Sequence, residues 1–211
     1  VPGDKSISHR AIIFSALSRH TVRIQNLLEG EDVLRTVEIF RKLGVPIQKS
    51  GKTWIVKGKG ADGLRPCRGV LTCGNSGTTM RLMMGVLAAL PFKSQLTGDK
   101  SLNRRPMERV ARPLRRMGAR VTEIRLKGKR IIQVQGPVTR GISYRLPVAS
   151  AQLKSALLLA GMISGLKVKV TEPVKSRDHT ERMMKIFKKR VRRLIVPGDP
   201  SSAAFFVVAG L

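Results

Sequence analysis

The chain has 211 residues, enough for one large domain or two small ones. Lys and Arg number 41 against 13 Asp and Glu, a formal net charge of +28, which points to an anionic partner: nucleic acid, an acidic membrane surface or a phosphorylated small molecule. The longest apolar runs, such as "ALLLAGMI", fall well short of the roughly 20 residues a spanning helix needs. Aromatic residues are only 4% of the chain, too sparse for a base-stacking platform, which weakens the nucleic-acid reading. Cys67 and Cys73 stand without a His or a second Cys pair. A metal site needs about four ligands, so free thiols and no metal are expected.

In chain order, three buried-helix signals recur at intervals of about seventy residues. "PGDKSISHRAIIFSAL" predicts a helix from about Lys5, with Ser6 and Ser8 as capping candidates. "CGNSGTTMRLMMGVLAAL" predicts one from about Ser76, and "VASAQLKSALLLAGMI" one from about Ser150. Each is apolar on nearly all sides, the pattern of a helix buried all round.

A short β-rich run follows each helix: "TVRIQNL", "KSQLTG" and "KVKVTE". An amphipathic helix comes next. Its apolar face is Val33, Val37, Phe40 and Leu43 in the first unit. In the second it is Met107, Val110, Leu114 and Met117, and in the third Met183, Ile186 and Phe187. Pro113 predicts a bend in the second of these helices. Gly44 and Gly118 read as left-handed caps. Hairpin patterns follow them, turning at Ser50-Gly51 and at Lys127-Gly128. No such hairpin follows Phe187, where "KKRVRRLI" reads as a solvated basic linker.

The repeat is therefore strand–helix–strand–helix–strand–strand, present about three times with the third copy incomplete. Strands that alternate or carry Lys and Arg argue for half-exposed outer sheets around inner helices. A Rossmann-like chain would show continuously apolar strands. The fold class is α+β. The expected domains are 1–195 (repeats about 1–66, 67–140 and 141–195) and the start of another at 196–211.

The chemistry gathers at helix starts, whose free N–H groups favour phosphate. "GDKSISHR" brings Lys5, Ser6 and Arg10; "GNSGTTMR" brings two glycines with Asn75, Thr78 and Thr79. "GDKSLNRRPM" brings Arg104 and Arg105, with Pro106 at a first-turn position. "ASAQ" and "KSRDHTERM" extend the set. Each alone is compatible with an ordinary capped helix. The GxxxxGK[ST] spacing of a P-loop is absent.

Taken together, "PGDKSISHRA", "GNSGTTMRL", "GDKSLNRRPM", "ASAQLKSALLLAG", "SRDHTERM" and "GDPSSAAFF" resemble the 5-enolpyruvylshikimate-3-phosphate synthase (3-phosphoshikimate 1-carboxyvinyltransferase) family. The six motifs stand in the family's order and span nearly the whole chain. The resemblance implies two globular domains, each of three βαβαββ units with helices packed inward. It implies transfer of the enolpyruvyl group of phosphoenolpyruvate to the 5-hydroxyl of shikimate 3-phosphate, through a tetrahedral intermediate and without a cofactor. This is the shikimate pathway to chorismate and the aromatic amino acids.

By the same resemblance, Lys5 contacts both substrates. Ser6, Arg10, Ser150, Ala151, Gln152 and Ser176, with Arg177 beside it, hold shikimate 3-phosphate. Asn75, Gly77, Arg105 and Gln152 hold phosphoenolpyruvate. Ala151 replaces a serine of some members, so only its backbone can serve.

None of the chain's acids matches the family's acid–base carboxylates, which lie in the other domain. A piece truncated at both ends is expected, one that binds substrate with little turnover alone and has the missing second domain as partner. The expected compartment is the cytoplasm, since no signal peptide opens the chain. Two alternatives stand beside this reading: a basic module holding nucleic acid by charge, with affinity falling steeply with salt, and a non-functional fragment.

Overall fold

The computed structural model describes residues 1–126 and 128–210, without the side chains of residues 205–207. The Lys127 half of the second hairpin turn lies outside the described residues. The chain divides into two units, Val1–Leu64 with Glu181–Leu211, and Arg65–Thr180.

In the first unit, helix α1 (Lys5–Leu17) is buried from Ser8 to Ala16. This follows from its composition: with no polar stripe, every side must be covered. Strand β1 (Thr21–Gln25) follows, then amphipathic helix α2 (Glu31–Lys42) and the hairpin β2 (Ile47–Ser50) and β3 (Thr53–Lys57). Val33, Val37, Phe40 and Leu43 are all buried, as their spacing predicts. Gly44 adopts φ 91°, the left-handed conformation that ends the helix. On the sheet's inner face Val22 opposes Val56 and Ile24 opposes Trp54.

The fourth strand of this sheet corrects the sequence expectation. "KKRVRRLI" is not a linker throughout: Arg193–Ile195 forms β10, parallel to β1, in the order β10-β1-β3-β2. Its side chains are mostly exposed, so the strand carries no apolar signature. Backbone pairing holds it instead, with the Arg193 guanidinium donating to Gln25 Oε1 at 2.7 Å.

The second unit repeats the plan. Strand β4 (Val70–Thr72) leads into α3 (Gly77–Ala88), β5 (Lys93–Thr97), α4 (Glu108–Arg116) and the hairpin β6 (Arg120–Leu126) and β7 (Lys129–Gln135). Its sheet order is β4-β5-β7-β6, so β10 holds beside β1 the place that β4 holds beside β5. Met107, Val110, Leu114 and Met117 are buried, and α4 continues through Pro113. Pro106 falls before α4, not in its first turn, because Leu102–Arg104 forms a separate 3-10 turn.

The third copy is short. Strand β8 (Ile142–Arg145) pairs with β9 (Val168–Thr171) in a two-stranded sheet flanking α5 (Ala151–Ser164), and no hairpin follows among the described residues. Of the apolar positions in α6 (His179–Phe187), Met183 is buried and Phe187 sits 5.5 Å from the Phe14 ring, whereas Ile186 is exposed. With no hairpin to cover that flank, the expected three-residue face narrows.

The tetrapeptide "VPGD" stands at residues 1–4 and again at 196–199, and the two copies meet. Gly3 and Gly198 form an antiparallel bridge; Asp4 N–H donates to Pro197 O at 2.8 Å and Asp199 N–H to Pro2 O at 2.9 Å. Helix α7 (Pro200–Ala209) follows the second copy.

Helices α3 and α5 pack so closely that a methyl group on Gly85 would overlap the Ala156 carbonyl. Overpacking of this kind costs about 1–3 kcal/mol. Gly85→Ala should therefore lower the thermal transition, read by circular dichroism, while Gly30→Ala, at a φ of -68° and with a methyl meeting only Leu28 at 3.7 Å, should change it far less.

Candidate functional site

In the first unit the site residues stand at the start of α1. Asp4 is the cap: its Oδ1 accepts the Ile7 N–H at 2.8 Å. Neither expected serine caps the helix. Ser8 is buried and its Oγ accepts the Leu28 N–H at 3.0 Å, while the Ser6 carbonyl accepts from Arg10 Nη1 at 2.8 Å. The reason is the turn before the helix, where the Gly3–Gly198 bridge fixes Asp4 in capping position.

Lys5 is exposed, with Nζ 3.1 Å from Asp32 Oδ2 in the first turn of α2. An exposed pair of this kind holds the ammonium weakly, so Lys5 stays open to an anion. Arg10 is only 2% exposed. Its guanidinium lies along the first turn and keeps a full positive charge under the helix start.

Beside it lies His9, fully buried, with Nδ1 2.8 Å from Thr36 Oγ1 and no hydrogen-bond partner at Nε2 among the described residues. Burial pushes its pKa down to about 3; the Asp32 charge opposes this, and the Arg10 and Lys5 charges add to it. The ring is therefore neutral and structural at ordinary pH.

In the second unit two helix starts are tied together. Ser76 caps α3, its Oγ accepting the Thr79 N–H at 3.2 Å. Ser150 caps α5 through the Leu153 N–H at 3.4 Å. Between them Arg81 Nη1 donates to Gln152 Oε1 at 2.5 Å, and Gln152 Nε2 donates to Thr78 Oγ1 at 2.8 Å. Arg105 Nη2 donates to Asn75 Oδ1 at 2.7 Å.

Gly77 has a specific reason to be glycine. A Cβ there would stand 3.0 Å from Arg81 Nη1 and 3.1 Å from Arg105 Nη1. Two guanidiniums thus converge on bare backbone at a helix N-terminus. Burial, and then the charges of Arg109 and Arg105, lower the pKa of Arg81. An arriving anion would relieve this crowding of positive charge.

Ala151 and Ser176 are half-buried. The Ser176 hydroxyl donates to Glu172 Oε1, and Lys154 Nζ lies 2.6 Å from Glu172 Oε2.

Sequence reasoning missed Arg81, Lys154 and Glu172, whereas Thr78 was named among the polar groups of its helix start. Arg81 did carry a signal, since it follows Gly77 by one helical turn inside a quoted motif. Among the described residues no His, Cys, Asp and Glu cluster could hold a metal ion. Cys67 and Cys73 are both free thiols, and burial pushes Cys73 up to about 12. Among the described residues no helix is long and apolar enough to cross a membrane.

Helices buried along most of their length, outer sheets and arginines gathered at helix starts make an α+β protein built to meet oxyanions. The family model "EPSP synthase (3-phosphoshikimate 1-carboxyvinyltransferase)" matches residues 1–211, and the chain belongs to that family.

Among curated relatives named 3-phosphoshikimate 1-carboxyvinyltransferase, those of Shouchella clausii and Desulforudis audaxviator are 48% and 51% identical. The Bacillus subtilis relative is 47% identical. Each alignment covers 100% of this chain and 53% of the relative, so the chain spans about half their length. Two solved structures of EPSP synthase from Acinetobacter baumannii match with a TM-score of 0.90 at 44% identity. They cover 99% of this chain and 51% and 52% of those chains.

The buried imidazole makes the pH prediction definite. Folded His9 refuses a proton that the unfolded chain accepts below about 6.5. Stability therefore falls as pH drops from that value toward about 3, by at most about 1.4 kcal/mol per pH unit from this group. Urea midpoints at neutral and mildly acid pH should show a flatter dependence for His9→Gln than for the parent chain.

Proposed function

We propose that this chain supplies the shikimate-3-phosphate-binding part of an enzyme that transfers the enolpyruvyl group of phosphoenolpyruvate to the 5-hydroxyl of shikimate 3-phosphate. The observation that carries the reading is the pair of guanidiniums, Arg81 and Arg105, over bare backbone at Gly77. That arrangement suits a small dianion bearing phosphate and carboxylate.

Each residue then has a task. Lys5 serves both substrates as a mobile ammonium. Ser6 and Arg10 in the first unit, and Ser150, Ala151, Gln152 and Ser176 in the second, are assigned to shikimate 3-phosphate. Asn75, Gly77, Arg105 and Gln152 are assigned to phosphoenolpyruvate. Arg81 holds the Gln152 carbonyl oxygen, which leaves the orientation of that amide defined. The groups in this chain bind, orient and neutralise charge. Proton transfer needs a positioned acid or base, and we assign it to a complementary domain. The addition–elimination chemistry calls for no cofactor, and the cytoplasm is the compartment that fits a biosynthetic role. Residues 196–211 echo the opening motif with Pro200 where Lys5 stands, so they build structure and leave anion contacts to the first copy.

Titration calorimetry with shikimate 3-phosphate tests this. The parent chain should bind it in the micromolar-to-millimolar range, and Gln152→Ala should weaken binding by about tenfold, the loss expected for one hydrogen bond to a charged group. Absence of heat at millimolar ligand would overturn the reading. Nucleic-acid affinity that collapses with salt, found together with that absence, would favour the basic-module alternative.

A further inference from the structure

Lys154 stands inside α5 with its side chain 7% exposed, and its partner Glu172 is 11% exposed. A lysine is almost never so buried without a strong partner. The pair is the most enclosed ion pair among the described residues.

Its second feature is what lies beyond it. One Glu172 oxygen takes Lys154, and the other takes the Ser176 hydroxyl. The Ser176 hydroxyl thus already donates to an oxyanion, as it would to a phosphate oxygen. Next to Lys154, Ser155 Oγ accepts from Thr180 Oγ1 at 2.7 Å and donates to the Ala151 carbonyl at 2.6 Å. Consecutive residues of α5 therefore fasten both ends of the segment 172–180. That segment carries Ser176 and Arg177, and α5 begins with Ser150, Ala151 and Gln152.

We propose that Lys154 and Glu172 are positioning residues that clamp the Ser176–Arg177 turn for a phosphate monoester, with the Glu172 carboxylate occupying the Ser176 hydroxyl until the ligand arrives. A serine hydroxyl has one proton and can serve one acceptor at a time. On binding, the hydroxyl rotates about its Cβ–Oγ bond from Glu172 to a phosphate oxygen. Lys154 keeps Glu172 paired, so no buried carboxylate is stranded. No covalent bond changes. The inference rests on the assignment of Ser176 to shikimate 3-phosphate.

The test uses the double variant Lys154→Met/Glu172→Leu in the 211-residue chain. Replacing a buried pair by apolar residues of similar size is often neutral or stabilising, whereas removing one partner strands a charge. The double variant should thus keep a cooperative thermal transition. Amide exchange of residues 174–178 should accelerate about tenfold with the α5 interior unchanged, and shikimate 3-phosphate affinity should fall about tenfold. Glu172→Asp should restore neither, being too short to span both partners. Unchanged exchange overturns the clamp. Faster exchange with unchanged affinity overturns its role in phosphate binding. If the parent chain binds no shikimate 3-phosphate, the substrate assignment fails with it, and the clamp still stands or falls on the exchange result.

Discussion

The constraint on which the structure depends is that α1, α3 and α5 have no polar side. A helix apolar around its whole circumference must be covered along its whole length. Its amphipathic neighbours and the inner faces of the sheets are the cover. Only the helix ends then reach water, and at an N-terminal end the exposed backbone groups are N–H donors. The residues that matter chemically stand there because the rest of each helix is closed to them. Lys5 opens α1, Asn75 and Gly77 open α3, and Ser150 to Gln152 open α5.

The same constraint explains how charge is used. Most of the 41 basic residues lie on exposed strand faces and turns, where water screens them. A few are drawn into the protein. Arg10 lies under the start of α1, Arg81 bridges α3 and α5, and Lys154 is held inside α5 by Glu172. These fixed cations sit beside helix N-termini that already carry partial positive charge. Field and donors point the same way, so the fold is pre-organised for oxyanions before any ligand arrives.

The repeat plan was legible because it is written in local signals. Apolar runs announced the three inner helices, and spacings of three and four placed Val33 to Leu43 and Met107 to Met117 inward. Gly44 and Gly118 marked helix ends that prove to have positive φ. The features that escaped depend on distant partners. Arg193–Ile195 is a strand only because β1 offers a free edge, and its own residues look like a basic linker. Asp4 outcompetes Ser6 and Ser8 as cap because a bridge from Gly198 sets its backbone. Ile186 follows the helical period yet stays exposed, since the third copy has no hairpin to lie against it. The Arg81–Gln152 contact joins two motifs 71 residues apart, and Lys154 looks in the sequence like any surface lysine.

The placement of β10 carries a consequence for how the chain is made. The second unit is a single uninterrupted stretch, so all its strands are on hand once Thr180 has been synthesised. The first unit is not. Its sheet has one edge of β1 unfilled until Arg193–Ile195 emerges, and its two copies of "VPGD" can lock only when the later one arrives. An open β edge in a nascent chain is an invitation to mispair. Closing a longer loop adds little entropy, because the penalty grows only with the logarithm of length. The hazard is therefore one of timing, and the exposed Arg23 in the middle of β1 puts a charge on the waiting edge, which discourages another chain from pairing there first.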